Sequence, residues 1–126
     1  MEVNKIDHLI LTVQDIDETL EFYQKVLGME RVVFGEGRVA LKFGNHKLNL
    51  HESGNEYEPK AMHPVPGSVD LCLITPMPLN EAIQHIESCG VVIIQGPVSR
   101  TGACGSLSSI YFRDPSGNLI EVANEV

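Results

Sequence analysis

Glu121 stands inside an otherwise apolar run, Leu119-Ile120-Glu121-Val122-Ala123, directly after a Gly117-Asn118 turn. A carboxylate among apolar side chains is costly to bury without a partner, and a metal ion is the commonest partner that justifies it. A second alternating stretch, His46-Lys47-Leu48-Asn49-Leu50-His51-Glu52, follows the Gly44-Asn45 turn. Its alternation puts Leu48 and Leu50 on one face and Asn49 and His51 on the other. In the run before Glu121, Ser109, Tyr111 and Arg113 share a face opposite Ile110 and Phe112, because residues two apart in a strand project together. That face is either the polar outer side of an antiparallel sheet or the lining of a pocket. Arg38, Lys47 and Arg100 are candidate anion contacts, and alternation places Arg38 and Lys47 on the face of Asn49. His46 beside a turn and His85 on a polar helix face read as solvent residues, and His63 lies in a proline-rich loop.

The cysteines add no site of their own. Cys72, Cys89 and Cys104 are odd in number and lack CxxC spacing, which points to a reducing compartment and away from a zinc knuckle. Cys104 sits in Arg100-Thr101-Gly102-Ala103-Cys104-Gly105, a stretch flexible enough to fold over a substrate. This is no phosphate-binding loop, since the lysine and the following helix are missing. Without a clear histidine partner Cys104 reads as a loop thiol.

The elements that must carry these residues follow from periodicity and punctuation. Residues 5–13 read as a strand. Asp15 is a helix cap with Glu18 three residues on, Ile16, Leu20, Tyr23, Val26 and Leu27 recur at helical spacing, and Gly28 ends the helix. Strands over 30–34, 38–43 and 46–52 follow, separated by Gly35-Glu36-Gly37 and Gly44-Asn45. Residues 53–67, with Pro59, Pro64 and Pro66, form a long connecting loop. The order then restarts: a strand over 69–75, a helix over 78–88 stopped by Gly90, and a strand beginning at 91–94. A glycine-rich loop over 96–105 leads to a strand over 106–112, a turn at Asp114-Pro115-Ser116-Gly117 and a final strand. The two halves repeat, His8 aligning on Asp70 and Gly28 on Gly90 at an offset of 62, and Leu48 on Ile120 and Leu50 on Val122 at an offset of 72. The expected architecture is therefore α+β, two tandem βαβββ units (1–52 and 68–126, joined by loop 53–67) forming a curled mixed sheet in a single domain over 1–126. Each unit carries a polar residue on its first strand and another on its fourth.

Composition narrows the function. The 126 residues suffice for one domain with a modest core. Hydrophobic content of 43% and charged content of 21% are those of a soluble globular chain. A net charge of −8 argues against nucleic acid as a partner. The first residues lack a basic segment and a cleavage site, and no apolar stretch is long enough to span a membrane. A cytoplasmic protein without a membrane partner is expected.

The segments His8-Leu9-Ile10-Leu11-Thr12-Val13, Phe22-Tyr23 with Leu27-Gly28-Met29, and above all Tyr111-Phe112-Arg113-Asp114-Pro115-Ser116-Gly117-Asn118-Leu119-Ile120-Glu121 carry a family likeness. Over essentially the whole chain the sequence resembles the vicinal oxygen chelate superfamily of glyoxalase I, fosfomycin-resistance thiol transferases, bleomycin-binding proteins and extradiol dioxygenases. It looks closest to small single-domain glyoxalase-like members. The resemblance implies a divalent metal (Fe, Mn, Ni or Zn) in the funnel of the curled sheet, with ligand positions at His8, Asn49, Asp70 and Glu121. The family usually has histidine or glutamine where Asp70 stands. Asn49 is a poor ligand beside a carboxylate, and His51 on the same face is the candidate to replace it, giving a metal set of His8, Asp70, Glu121 and His51. In the fosfomycin-resistance relatives the positions of Ser109 and Tyr111 line the substrate pocket, so Ser109, Tyr111, Asn49, Arg38, Lys47 and Arg100 are the expected substrate contacts. Such an ion polarises a carbonyl or stabilises an enediolate, and with iron it activates dioxygen. The implied function is a metal-dependent lyase, isomerase or dioxygenase-type enzyme acting on a small oxygenated, anionic metabolite. The alternative is a metal-free sequestering protein of the bleomycin-resistance type. Superfamily sites often assemble across a homodimer, and a homodimer is expected here.

Overall fold

The computed structural model of the chain describes residues 1–126. It divides into two compact units, Met1–Gly67 and Ser68–Val126. The first runs β1 (His8–Val13), α1 (Ile16–Leu27), β2 (Glu30–Phe34), β3 (Arg38–Phe43) and β4 (His46–Glu52). Its four-stranded sheet has the order β1-β4-β3-β2, β1 running parallel to β4 and the other pairs antiparallel. The second runs β5 (Asp70–Ile74), α2 (Leu79–Ser88), β6 (Gln95–Thr101), β7 (Ser106–Arg113) and β8 (Leu119–Glu125), with the equivalent order β5-β8-β7-β6. The βαβββ unit thus occurs twice, and the fold is α+β.

Alternation along each strand decides which face of each sheet is packed. In the first unit Leu11, Val13, Leu41, Leu48 and Leu50, all at 1% exposure or less, meet Leu20, Tyr23 and Val26 of α1. In the second, Ile110, Phe112, Ile120 and Val122 share the core with Leu79, Ala82 and Ile86 of α2. Each such side chain contributes about 1.5–3 kcal/mol on burial. One face of each sheet therefore holds the unit together and leaves the other face free for polar chemistry.

The two helices are started by different means. Asp15 caps α1, its side chain accepting the Glu18 amide at 2.9 Å, and Gly28 closes the helix in a left-handed conformation at φ 63°. Pro78 precedes α2 and supplies no side-chain cap. Asn124 of β8 does this instead: its Oδ1 accepts the Leu79 amide at 2.8 Å while its Nδ2 donates to the carbonyls of Thr75 and Met77.

One expected element is misplaced by the sequence. The strand anticipated at 91–94 is irregular, and β6 instead spans Gln95–Thr101, inside the stretch expected to be a loop. Gly96-Pro97 breaks the pattern because it sits at a register shift between Gln95 and Val98. β6 is also an edge strand, where a residue without an N–H is tolerated. The glycine is required by its neighbours: a Cβ on Gly96 would lie 2.4 Å from the Ser109 carbonyl oxygen. The loop proper shrinks to a hairpin turn, 102–105, closed by the Gly102 amide donating to the Gly105 carbonyl at 2.7 Å.

Candidate functional site

The open face of the first sheet is organised in three rungs across β3, β4 and β1. The outer rung holds Arg38, His51 and Thr12, the middle rung Ala40, Asn49 and Ile10, and the inner rung Lys42, Lys47 and His8. Successive rungs are two strand residues apart, about 7 Å. The second sheet repeats the arrangement with Ser109, Ala123 and Ile74, then Tyr111, Glu121 and Cys72, then Arg113, Leu119 and Asp70. His8 and Asp70 therefore occupy equivalent places in their units, as do Asn49 and Glu121.

On the inner rung of the first unit, His8 is exposed and its Nδ1 lies 2.8 Å from Asp7 Oδ1. A carboxylate can only accept, so Nδ1 carries the proton, and the neutral ring then presents its lone pair at Nε2. Backing an imidazole with a carboxylate is how metal-ligating histidines are commonly oriented. The same hydrogen bond holds the Asp7 carboxyl below its usual range. In the middle rung, Asn49 Oδ1 is buried and has no hydrogen-bond partner.

The outer rung is a different environment. His51 is buried at 8% exposure. Burial, followed by the nearby Arg38 charge, lowers its pKa, with Glu56 opposing. Its ring meets the Tyr57 ring edge-on at 5.3 Å between centroids. The Arg38 guanidinium lies over the same tyrosine, 4.0 Å from the ring centroid. His51 stands two rungs, about 13 Å of strand, from His8. His51, the expected replacement for Asn49, projects from the same face as His8 but from its opposite end. Lys47 starts on the inner rung, but its ammonium reaches along the face to lie 3.7 Å from the ring centroid of Phe34, the cross-strand partner of Arg38.

In the second unit Glu121 is half-buried, less enclosed than its apolar neighbours in sequence suggest. The thiol of Cys72 is its partner across the middle rung. Partial burial, the charge of Glu121 and a hydrogen bond to that carboxylate push the Cys72 pKa up to about 11, so the thiol is a donor at neutral pH. Asp70 is exposed at the start of β5. Tyr111 sits directly across from Glu121, and its hydroxyl accepts a hydrogen bond from Arg100 Nε at 2.9 Å. Ser109 is fully buried, with no partner for its hydroxyl oxygen. Beside these residues an open groove of about 420 Å³ is lined by Cys72, Ile74, Arg100, Glu121 and Glu125, with the 102–105 hairpin along its rim. Cys104 lies on that rim.

The turn ahead of Glu121 is held by buried polar groups. Asp114 Oδ1 accepts the amides of Ser116 and Asn118, and Asn118 Nδ2 donates to Asp114 Oδ2 at 2.9 Å. Asn118 Oδ1 accepts the Val69 amide at 3.0 Å, tying the chain ahead of β5 to the start of β8. With the Leu119 amide donating to the Val69 carbonyl at 3.0 Å, this contact starts the parallel ladder that carries Asp70 and Glu121. Sequence reasoning found the turn but not this role of Asn118. It also missed Asp7, Tyr57 and Cys72, of which Asp7, adjacent to a candidate ligand, was the one with a readable signal.

As a donor set, an imidazole nitrogen and two carboxylates fit a divalent first-row ion, with carboxylates favouring Mn and imidazole suiting Fe, Ni or Zn. Nowhere in the chain do three His, Cys, Asp or Glu side chains gather closely enough to hold one. No helix is long and apolar enough to cross a membrane.

Residues 5–122 match the family described as the Glyoxalase/Bleomycin resistance protein/Dioxygenase superfamily. The chain is 52% identical over 126 residues to virulence protein STM3117 of Salmonella typhimurium (strain LT2), covering 100% of this chain and 88% of that protein. The crystal structure of STM3117 has a TM-score of 0.98 with full coverage of both chains. Integron cassette protein VCH_CASS1, from the mobile metagenome of V. cholerae, is 56% identical with a TM-score of 0.98, covering 100% of this chain and 98% of the other. Metallothiol transferase FosB of Staphylococcus epidermidis is 26% identical over 125 residues, covering 97% of this chain and 82% of that protein.

Proposed function

Because this chain belongs to the glyoxalase/bleomycin resistance protein/dioxygenase superfamily, we propose that it is a metal-dependent vicinal oxygen chelate enzyme acting on a small, oxygenated, anionic metabolite. Its reaction is of the lyase, isomerase or dioxygenase type. The observation that carries the proposal is the Asp7–His8 pair at 2.8 Å, which leaves the Nε2 lone pair of an open-face histidine ready for an ion. The proposed ligands are His8 from the first unit and Asp70 and Glu121 from the second. A bound ion supplies Lewis acidity toward two adjacent substrate oxygens. The relative FosB, named as a metallothiol transferase, makes a metal the natural cofactor to look for.

The remaining groups have parts to play around such an ion. Cys72, protonated at neutral pH, steadies the Glu121 carboxylate by donating to it. Tyr111, held by Arg100 opposite Glu121, offers a hydroxyl to substrate, while the unpaired oxygens of Ser109 and Asn49 are buried beneath the surface of their sheets. Arg38 and Lys47 favour an anionic substrate, while His51, far along the strand from His8, belongs with substrate contacts. We assign the two half-sets of ligands to different chains of a homodimer. Each four-stranded sheet has two open edges, and uncovered edges favour pairing with another chain. The three free thiols suit a reducing cytoplasm.

The test is metal analysis of protein purified without added metal, followed by titration with Fe(II), Mn, Ni and Zn. Near-stoichiometric uptake, lost in His8→Ala and in Glu121→Gln while both variants keep the wild-type circular dichroism, is expected. Mixed His8→Ala and Glu121→Ala chains should regain part of the uptake. Failure of the wild type to take up any of the four ions overturns the enzyme reading in favour of a metal-free binding protein. Uptake without recovery on mixing, in confirmed heterodimers, places all the ligands within one chain.

A further inference from the structure

We infer that the groove of the second unit seats a short ω-amino acid, its carboxylate on Arg100 and its ammonium on Glu125, with Glu125 as the residue that sets specificity. The inference deepens the proposal of a small anionic metabolite by adding a positive group to it, and it rests on that reading of the open face. Leu107 of β7 pairs with Arg100 of β6 on one side and with Glu125 of β8 on the other. A guanidinium and a carboxylate therefore start from one rung, two strand spacings, about 10 Å, apart. They do not meet. Neither belongs to any of the chain's ion pairs, which are His8–Asp7, Lys60–Glu56 and Lys60–Glu58. Arg100 is turned inward instead, its Nε donating to the Tyr111 hydroxyl at 2.9 Å and its Nη1 to the Ser99 carbonyl at 3.1 Å. That leaves Nη2 of the guanidinium fork for a carboxylate. Both charged residues line the same groove of about 420 Å³.

Charge selects the ligand class. Over residues 68–126, Arg100 and Arg113 are the only Lys or Arg, against Asp70, Glu81, Glu87, Asp114, Glu121 and Glu125. Arg113 donates to the Gly117 carbonyl and does not line the groove. The groove thus carries one guanidinium and two carboxylates, Glu121 and Glu125. A simple carboxylate entering it gains one partner and meets two like charges. An ion on Glu121 offsets the first of these. Glu125 keeps no counter-charge unless the ligand brings one, and an ammonium does so. Leu107 stands between the two charged residues, and Ile74, 50% exposed, adds apolar surface suited to methylenes. The hairpin packs directly onto this floor: a Cβ on Gly102 would lie 2.9 Å from Leu107 Cγ. Because Arg100 and Glu125 stand too far apart to pair, a ligand touching both must hold its own charges several ångströms apart. That favours methylenes between ammonium and carboxylate over an α-amino acid.

Calorimetric titration of metal-free protein with 4-aminobutyrate, glycine, butyrate and butylamine tests the inference independently of the ion. Wild type is expected to bind 4-aminobutyrate about fivefold more tightly than butyrate or butylamine, the worth of one favourable exposed ion pair. Glycine should bind more weakly than 4-aminobutyrate. Glu125→Gln should bring 4-aminobutyrate down to the affinity of butyrate while the circular dichroism stays that of wild type. Arg100→Gln should bring it down to the affinity of butylamine. Glu125→Lys should reverse the order and favour succinate over 4-aminobutyrate, a gain that no loss of folding produces. An unchanged preference in Glu125→Gln, equal binding of butyrate and 4-aminobutyrate by wild type, tighter binding of glycine, or no binding of any of the four overturns the inference. No binding alongside normal metal uptake strikes the inference alone. Binding of 4-aminobutyrate by protein that takes up no metal upholds it while the metal reading falls.

Discussion

Replacing Asn118 by Ala removes the tie between the two strands that carry Asp70 and Glu121. Asn118 is 1% exposed and Asp114 5%, so what the side chain leaves behind is poorly reached by water. The Val69 amide loses its acceptor at 3.0 Å and the Asp114 carboxylate loses a donor at 2.9 Å. An unsatisfied amide costs roughly 1 kcal/mol and a charged group deprived of a donor roughly 2–3, for a total of about 3–4 kcal/mol. That is a large fraction of the stability of a typical domain, about 5–15 kcal/mol. With an unfolding entropy of roughly 2.1 cal/mol/K per residue, the expected fall in Tm is about 11–15 °C if the chain unfolds as one. Thermal unfolding followed by circular dichroism measures it, and hydrogen exchange should show the lost protection within residues 68–126. Asn118→Asp keeps an acceptor for Val69 but presents a second carboxylate to Asp114. It should be at least as damaging at neutral pH and recover partly in mild acid. A fall of less than 4 °C for Asn118→Ala would refute the account of this turn as the clamp on the second unit.

Three further outcomes follow from other parts of the structure. His51 has a pKa below its ordinary 6.5, chiefly through burial, so the unfolded chain binds the proton more readily. Its contribution to stability is present above about pH 6.5 and lost as pH falls through the folded value. Urea midpoints should therefore fall less steeply from pH 7 to 5 in His51→Gln than in wild type, and parallel curves would contradict the burial. In metal-free protein with Cys89 and Cys104 changed to Ser, alkylation of Cys72 should be slow at pH 8 and keep rising toward pH 11. Glu121→Gln should accelerate it several-fold at pH 8, and an unchanged rate would separate the two side chains. Gly96→Ala places a Cβ 2.4 Å from the Ser109 carbonyl at a φ of +109°. It should cost roughly 3 kcal/mol or more, a loss that a urea midpoint within error of wild type would rule out.

The repeat was readable because apolar alternation and glycine stops recur in both halves. The structure turns those offsets into equivalent strand pairs, Ile10 with Asn49 and Cys72 with Glu121. What alternation could not supply is distance along a strand. Parity puts Asn49 and His51 on the face of His8, and parity alone made His51 look like a substitute ligand. The parallel register carries it to the far end. β6 was hidden for a different reason: its Gly-Pro pair is a local signal for a loop, overridden by pairing with β7 through a bulge. Asn118 and Asn124 act on backbone groups 49 and 45 residues away, and nothing near them in sequence announces those partners. Tyr57 looked like loop composition, because a loop's own residues do not say which strand it folds against.

The separate origins of the two helix caps bear on the order in which the chain can mature during synthesis. α1 has its cap at Asp15, one residue ahead of its own start, so the first unit holds every group its helix needs once residue 67 has left the ribosome. α2 borrows its cap from Asn124. Until that late residue emerges, the Leu79 amide has no side-chain acceptor, and the strand that completes the core beneath the helix is also missing. The first half of the molecule can thus condense while translation continues, as N-terminal segments commonly do. The second half must wait for nearly its whole length before its helix is secured.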